Sequence, residues 1–304
     1  MITVALYGAT VLVWGFSWYA IELQLGHVPA ELSVAYRFGL AAALQFAWCA
    51  ATGVRLRLTW AQHRYVALVG VLLFGFNLLM VYFATARLPS GLVSVVFSLI
   101  TVVNIVNARL MLGRQTTAVV WLATALGLGG IALVFRADIA AVMAGRGDPA
   151  TLAGIGLAFA GAVLASFGNV LSVKVREVGL SILQLNTWGM LYGAACLFAF
   201  AVVQGAPITF DVSVPYIGGL AYLAVFGSVA GFGFYLTLIK RIGPERAGYC
   251  AVMFPAVALM VSVWLEGLKV DVSMLAGAAL ILVGNVLVLL PRGVLAKLFK
   301  PRPA

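Results

Sequence analysis

Apolar residues run through this chain in ten long stretches, and the gaps between them hold most of its Pro, Asp, Glu, Lys and Arg. The stretches fall near 3–22, 30–52, 65–86, 88–108, 116–135, 151–173, 179–203, 215–239, 244–265 and 272–291. Each is close to the roughly 20 apolar residues that carry a helix across bilayer hydrocarbon. The pattern predicts an all-α membrane protein of ten transmembrane helices, with little chain left for a soluble domain. Composition agrees: of 304 residues, 64% are hydrophobic and 9% charged, and the mean hydropathy is +1.11.

The polar gaps alternate in kind. Arg55, Arg57 and Arg64, then Arg109 and Arg114, then Lys174 and Arg176, then Lys240, Arg241 and Arg246 fill every second gap. Arg292, Lys297, Lys300 and Arg302 follow the last stretch, whereas the other gaps hold only Arg87, Arg136, Arg146 and Lys269. Short loops rich in Lys and Arg stay on the cytoplasmic side, so both termini are predicted inside and residues 138–150 outside. The net charge of +10 then reads as a topology signal that also meets anionic lipid headgroups, and not as a nucleic-acid surface. The first stretch has no basic leader or small-residue cleavage site and carries Trp14 and Trp18, which predicts a retained helix. Cys49, Cys196 and Cys250 all fall within stretches, an arrangement that offers neither a disulfide framework nor a zinc site.

The second half repeats the first. Phe74-Gly75, Tyr82-Phe83 and Thr85 answer Phe226-Gly227, Phe234-Tyr235 and Thr237, and Gly130 answers Gly284. Leu88-Pro89 through Thr101 aligns with Ile242-Gly243 through Pro255. Five spans per half force the second copy to enter from the opposite face, which is the inverted repeat of many carriers. The expected division is residues 1–137 and 151–292 for the repeats, 138–150 for a periplasmic connection and 293–304 for a basic cytoplasmic tail.

Trp14-Gly15, the Leu88-Pro-Ser-Gly-Leu-Val-Ser-Val-Val-Phe-Ser-Leu-Ile-Thr101 stretch and Trp264-Leu-Glu-Gly-Leu268 resemble the EamA branch of the drug/metabolite transporter superfamily. Over the whole chain the resemblance is strongest to its aromatic amino-acid exporters. It implies a central cavity lined by spans one, three, four, six, eight and nine, with five and ten at the periphery, and no cofactor. Two departures stand out. The usual Leu-Gly-Glu after span four reads Leu112-Gly113-Arg114, and the frequent mid-span Pro survives only as Pro255, with Thr101 in its place in span four.

Ionisable groups deep in a membrane helix are costly and are functional by default. Glu22, Glu31, Asp138, Asp148, Glu177, Asp211, Glu245, Glu266 and Asp271 all sit at span ends or in gaps. This favours a facilitated carrier over a proton-coupled exporter built round a buried acid, which remains the alternative. Arg37 is the one intramembrane charge, either a snorkelling or helix-pairing residue or a partner for a substrate carboxylate near the outer gate. Asn77, Ser94, Ser98, Thr101, Ser166 and Asn169 mark the depth of a binding site, although hydroxyls there also glue helices together. Pro255 lacks an N–H and frees the Ala251 carbonyl for a substrate ammonium or for a plain kink. Trp14, Tyr82, Tyr235 and Tyr249 belong to the implied cavity helices, while Trp18, Trp60, Trp121 and Trp264 lie near span ends, where interfacial belts expect them. An intramembrane enzyme is the remote rival: hydrolysis needs a nucleophile with a base, yet His27 and His63 lie in gaps on opposite sides. The combined reading is an inner-membrane carrier exporting an aromatic or large neutral amino acid, with that small molecule and membrane lipid as its partners.

Overall fold

The computed structural model describes residues 2–113, 118–173, 177–242, 247 and 249–290. Arg114, Lys174, Arg176, Glu245, Arg246 and the basic tail 293–304, with Arg292 before it, lie outside the described residues. Among the described residues every regular element is helical. The helices are α1 (Ile2–Glu22), α2 (Ala30–Ala51), α3 (Trp60–Thr85), α4 (Ser90–Leu112), α5 (Ala118–Val134), α6 (Pro149–Ser172) and α7 (Ile182–Val203). Then come α8, which runs through Val214–Tyr222, Leu223–Ala230 and Gly231–Ile242, α9 (Cys250–Leu265) and α10 (Val272–Leu289). They correspond in order to the ten apolar stretches.

Eight of them are each long and apolar enough to cross a bilayer. Helix α5 bends by 68° into a short helix, Arg136–Met143, and counts with it as a ninth, while α9 is a shorter apolar helix of 16 residues. The connection expected at 138–150 therefore opens as helix; its Ala-rich segment favours helix, and Ile139 packs against the main core. Sequence-encoded caps place the starts. Thr59 with Gln62 and Ser181 with Gln184 form capping boxes on α3 and α7, and Asp148 and Asp271 cap α6 and α10, satisfying N–H groups that have no partner inside the helix. Leu12, Leu44, Leu128, Val225, Met260 and Leu275 stay exposed on the outside of the bundle, as a lipid-facing surface requires.

Packing follows an exchange of halves. Helix α1 packs on α9 and α8 as α6 packs on α4 and α3, and α2 packs on α8 as α7 packs on α3. Two pairs match a helix with its own counterpart. In α5 and α10, a Cβ on Gly130 would lie 2.6 Å from the Gly277 carbonyl oxygen, and one on Gly284 would lie 3.0 Å from that of Ala123. In α2 and α7, Gln45 meets Thr187 at 3.1 Å while Leu32 shares a cluster with Ala201. Both pairs run antiparallel, as an inverted duplication requires. The matched Phe74-Gly75 and Phe226-Gly227 also fall in matched local structure, since each lies in a π-helical stretch, Val71–Phe76 and Leu223–Ala230.

Candidate functional site

Wide π-helical turns disturb the regular backbone ladder and recur at functional sites, and the one in α8 is where the chemistry gathers. Its Gly227 carbonyl accepts the Trp14 indole N–H at 3.2 Å. Glycine lets α1 approach this face closely: a Cβ on Gly227 would lie 3.0 Å from Ser17 Oγ, and one on Gly231 would lie 2.7 Å from Trp14 Nε1. Trp14 packs on Tyr235 and Phe232, with ring centroids 5.1 and 5.8 Å apart. Phe232 meets Phe74 at 6.0 Å, Phe74 meets Phe38 at 5.4 Å, and the Arg37 guanidinium lies 4.9 Å over Phe38. A string of rings thus leads from Tyr235 to a buried cation.

Arg37 does not snorkel: it is 7% exposed and sits on α2 roughly 10 Å in from that helix's first residue, at about 1.5 Å per residue. It reaches the hydroxyl of Tyr82, which is itself fully buried and donates to Gln24 Oε1 at 2.5 Å.

A second polar group stitches α4 to α6 and α10. Asn107 donates to Ser166 at 2.9 Å, Asn169 to Asn104 at 3.4 Å and Asn285 to Ser98 at 3.2 Å. Ser94 and Ser98 turn their own hydroxyls back to the Gly91 and Val95 carbonyls. Thr101 is nearly buried beside them. Asn77 is buried with its Oδ1 unpartnered, and its backbone oxygen faces Gly161 of α6. Pro255 is buried where α9 approaches α1, a Cβ on Gly15 falling 2.5 Å from Val257 and 3.4 Å from the Phe254 carbonyl. Tyr249 is half-buried just ahead of α9.

The structure therefore brings Trp14, Tyr235, Arg37 and Tyr82 along one wall and Ser98, Ser166 and Asn169 into a separate seam. The partners Gln24, Asn104, Asn107 and Asn285 carried no signal that sequence reasoning used. Their amides, within or beside apolar stretches, were the available cue. Trp18 corrects the expectation of an interfacial belt. It is 8% exposed, wedged between Phe97 at 5.4 Å and Phe254 at 5.9 Å. Trp60, Trp121 and Trp264 are exposed, as such a belt requires.

The two ends of the bundle differ. The end carrying Glu22, Glu31, Asp148, Asp211, Glu266 and Asp271 is here the acidic end, and the one carrying Arg55, Arg57, Arg64 and Arg109 the basic end. At the acidic end α4 is locked to α9: the Ser90 backbone N–H and hydroxyl both donate to the Glu266 carboxylate, the first at 2.8 Å, and the Gly91 N–H donates to Ser262 Oγ at 2.7 Å. A carboxylate at a helix N-terminus satisfies its free N–H groups and complements the helix dipole. The acidic-end halves of α3 and α4 also touch α1, and that of α3 touches α2. Exchange of halves would pair α6 with α8 and α9, and α7 with α8, at the basic end. Among the described residues none of those pairs makes a comparable contact. At the acidic surface, the Ser213 N–H donates to Asp211 and holds that carboxyl below its usual range.

The EamA-like transporter family matches residues 1–136 and 152–290. An "Uncharacterized inner membrane transporter YedA" from Escherichia coli K12 is 26% identical over 85% of this chain and 81% of its own. A "Probable amino-acid metabolite efflux pump" from Salmonella typhimurium is 24% identical over 90% of each chain. An "Uncharacterized transporter" from Clostridium kluyveri is 27% identical over 77% of this chain and 74% of its own. One crystal structure aligns at a TM-score of 0.66 and 20% identity over 98% of this chain and 99% of that one, a likeness of fold.

Proposed function

This chain belongs to the EamA-like transporter family, and from that premise we propose that it exports an aromatic or large neutral amino acid across a bacterial inner membrane by alternating access. As a member of that family it is a multi-pass membrane transporter. The observation that carries the mechanism is the broken symmetry: α1, α3 and α4 meet at the acidic end, while among the described residues their repeat counterparts α6, α8 and α9 make no comparable contact at the basic end. Rocking the halves about α2–α7 and α5–α10 would move that closure to the basic end, which is alternating access in an inverted repeat.

With the basic end cytoplasmic and both termini inside, the state described here opens inward and is ready to load a substrate for export. The string of rings from Tyr235 to Phe38 supports an aromatic or branched side chain as cargo, since rings favour stacked and edge contacts. The name of the Salmonella relative supports an amino acid. No acid stands beside the ring string among the described residues, which supports downhill flux without proton coupling. The test is initial efflux from proteoliposomes over radiolabelled amino acids, with and without a pH gradient. Flux of aromatic amino acids that survives collapse of the gradient is expected. Flux that vanishes with it contradicts the coupling, and failure to move any amino acid contradicts the substrate class.

A further inference from the structure

Just beneath the acidic-end closure, three elements turn buried polar atoms toward one another with too few acceptors among them. Arg37 of α2 is 7% exposed, and its Nε and Nη1 have no hydrogen-bond partner. Gln24, in the turn after α1, is 0% exposed, and its Nε2 is likewise unpartnered. Both side chains meet at the buried hydroxyl of Tyr82 on α3, which Gln24 Oε1 accepts and Arg37 reaches. Every polar side-chain atom left unpartnered on these three residues is a donor.

A guanidinium cannot shed its proton to lessen the cost of burial, and an unpaired buried charge is far more costly than an unpaired dipole. No carboxylate of the described residues stands beside it: its side-chain partner is the Tyr82 hydroxyl, a dipole and not a counter-charge. The face of Phe38, 4.9 Å from the guanidinium carbon, offsets part of the charge and accepts none of the free N–H groups. The missing component is an acceptor that carries negative charge. Gly227 lets the α8 backbone approach the site closely, since a Cβ there would lie 3.0 Å from Ser17 Oγ and 3.6 Å from Arg37 Nη2, and it belongs to the π-helical stretch of a helix that must move.

We infer that Arg37, Gln24 and Tyr82 form a buried seat for a carboxylate, supplied by the substrate itself. The seat deepens the reading of an amino-acid carrier, on which the identity of the carboxylate's owner rests. The ring string begins at the guanidinium, so one molecule places its carboxylate at Arg37 and its apolar body toward Phe38, Phe74 and Phe232. Filling the seat neutralises the buried charge, which gives cargo a stabilising role at the site.

The test reads binding and not flux. Thermal unfolding of the protein in lipid nanodiscs is followed while L-phenylalanine, L-phenylalaninamide, acetate or chloride is titrated in, against a background of a bulky buffer anion. A ligand bound by the folded state alone stabilises it by RT ln(1 + [L]/Kd), so the midpoint climbs with concentration above Kd and the curve returns Kd. Phenylalanine and acetate should both raise the midpoint, and phenylalaninamide should show at least a tenfold higher Kd than phenylalanine. Arg37→Gln should abolish the response. Should that variant not fold, Gln24→Met and Tyr82→Phe keep the guanidinium and should raise the Kd of phenylalanine several-fold without changing that of the amide. Equal Kd values for phenylalanine and its amide overturn the seat, as does the absence of any shift. A lower Kd for chloride than for either carboxylate overturns the carboxylate as occupant. Amino-acid flux that persists beside a negative binding result removes the seat alone and leaves the carrier reading standing.

Discussion

At the acidic end α4 meets α9 backbone to side chain, with Ser90 and Gly91 held by Glu266 and Ser262 and with Trp18 packed between Phe97 and Phe254. At the basic end α6 makes no comparable contact with α8 or α9, nor α7 with α8, among the described residues. In the alternating-access reading proposed above, this asymmetry makes the closure a property of one state and not of the fold. The closure combines a charge-assisted pair of bonds, serine bonds and two ring contacts with the close approach of Gly91 to the α9 backbone. One interface proposed to survive both states shares with it a glycine set against backbone. Helices α5 and α10 meet with glycine against backbone, a Cβ on Gly277 falling 2.5 Å from the Gly130 carbonyl oxygen, which leaves no room for sliding.

The largest effect should come from wedging the closed end. A Cβ on Gly91 would lie 2.7 to 2.8 Å from Ser262 Oγ, the Ala258 carbonyl and Leu259 Cα, most of it backbone that cannot yield. Gly91→Leu should cost the closed state about 3 kcal/mol and reduce flux at least tenfold. Gly129→Leu, where nothing lies within 4 Å, should leave flux unchanged. Trp18→Ala removes two ring contacts, each worth roughly 0.5–1.5 kcal/mol beyond area. It should speed maleimide labelling of a cysteine placed at Val93, which is buried in the closed end, by tenfold or more. Glu266→Gln keeps the shape and loses the charge, about 1 kcal/mol, so the same labelling rate should rise about fivefold.

The smallest effect lies outside the closure. Asp211 accepts from Ser213 at the same end and takes no part in the closure. Its folded carboxyl is held below the ordinary range, so its contribution is present above the unfolded value and lost as pH falls through the folded one. Asp211→Asn should therefore flatten a slight acid-side loss in the unfolding midpoint and leave Val93 labelling unchanged.

The number and order of the helices were legible because hydropathy reports each helix separately. The repeat expected from sequence is compatible with the structure, where Phe74-Gly75 and Phe226-Gly227 lie at matched places in π-helical stretches, although nothing in their residue types announces that geometry. The polar residues were the harder part. Ser98, Ser166 and Asn169 sit at the depth of a binding site, yet their partners Asn285, Asn107 and Asn104 are known only once helices are paired. An amide in an apolar stretch serves a cavity or a seam equally well, and the choice is made by the neighbouring helix. Trp18 shows the same limit: a ring near a helix end belongs to the lipid interface unless α4 and α9 close over it. Arg37 could be singled out from sequence as an intramembrane charge, whereas its convergence with Gln24 at Tyr82 needed the turn after α1 to fold back onto α3.

The most direct test of alternating access is a pair of spin-label distances followed together. Labels at Arg87 and Trp264 span the acidic end, between the α3–α4 connection and α9, and labels at Val4 and Leu110 span the basic end, between α1 and α4. Measured by electron–electron double resonance in nanodiscs with and without saturating L-phenylalanine, the two distances should change in opposite senses, the acidic-end pair lengthening in the fraction of molecules where the basic-end pair shortens. Distances that lengthen or shorten together, or a basic-end pair that never moves while the acidic-end pair opens, would contradict the account.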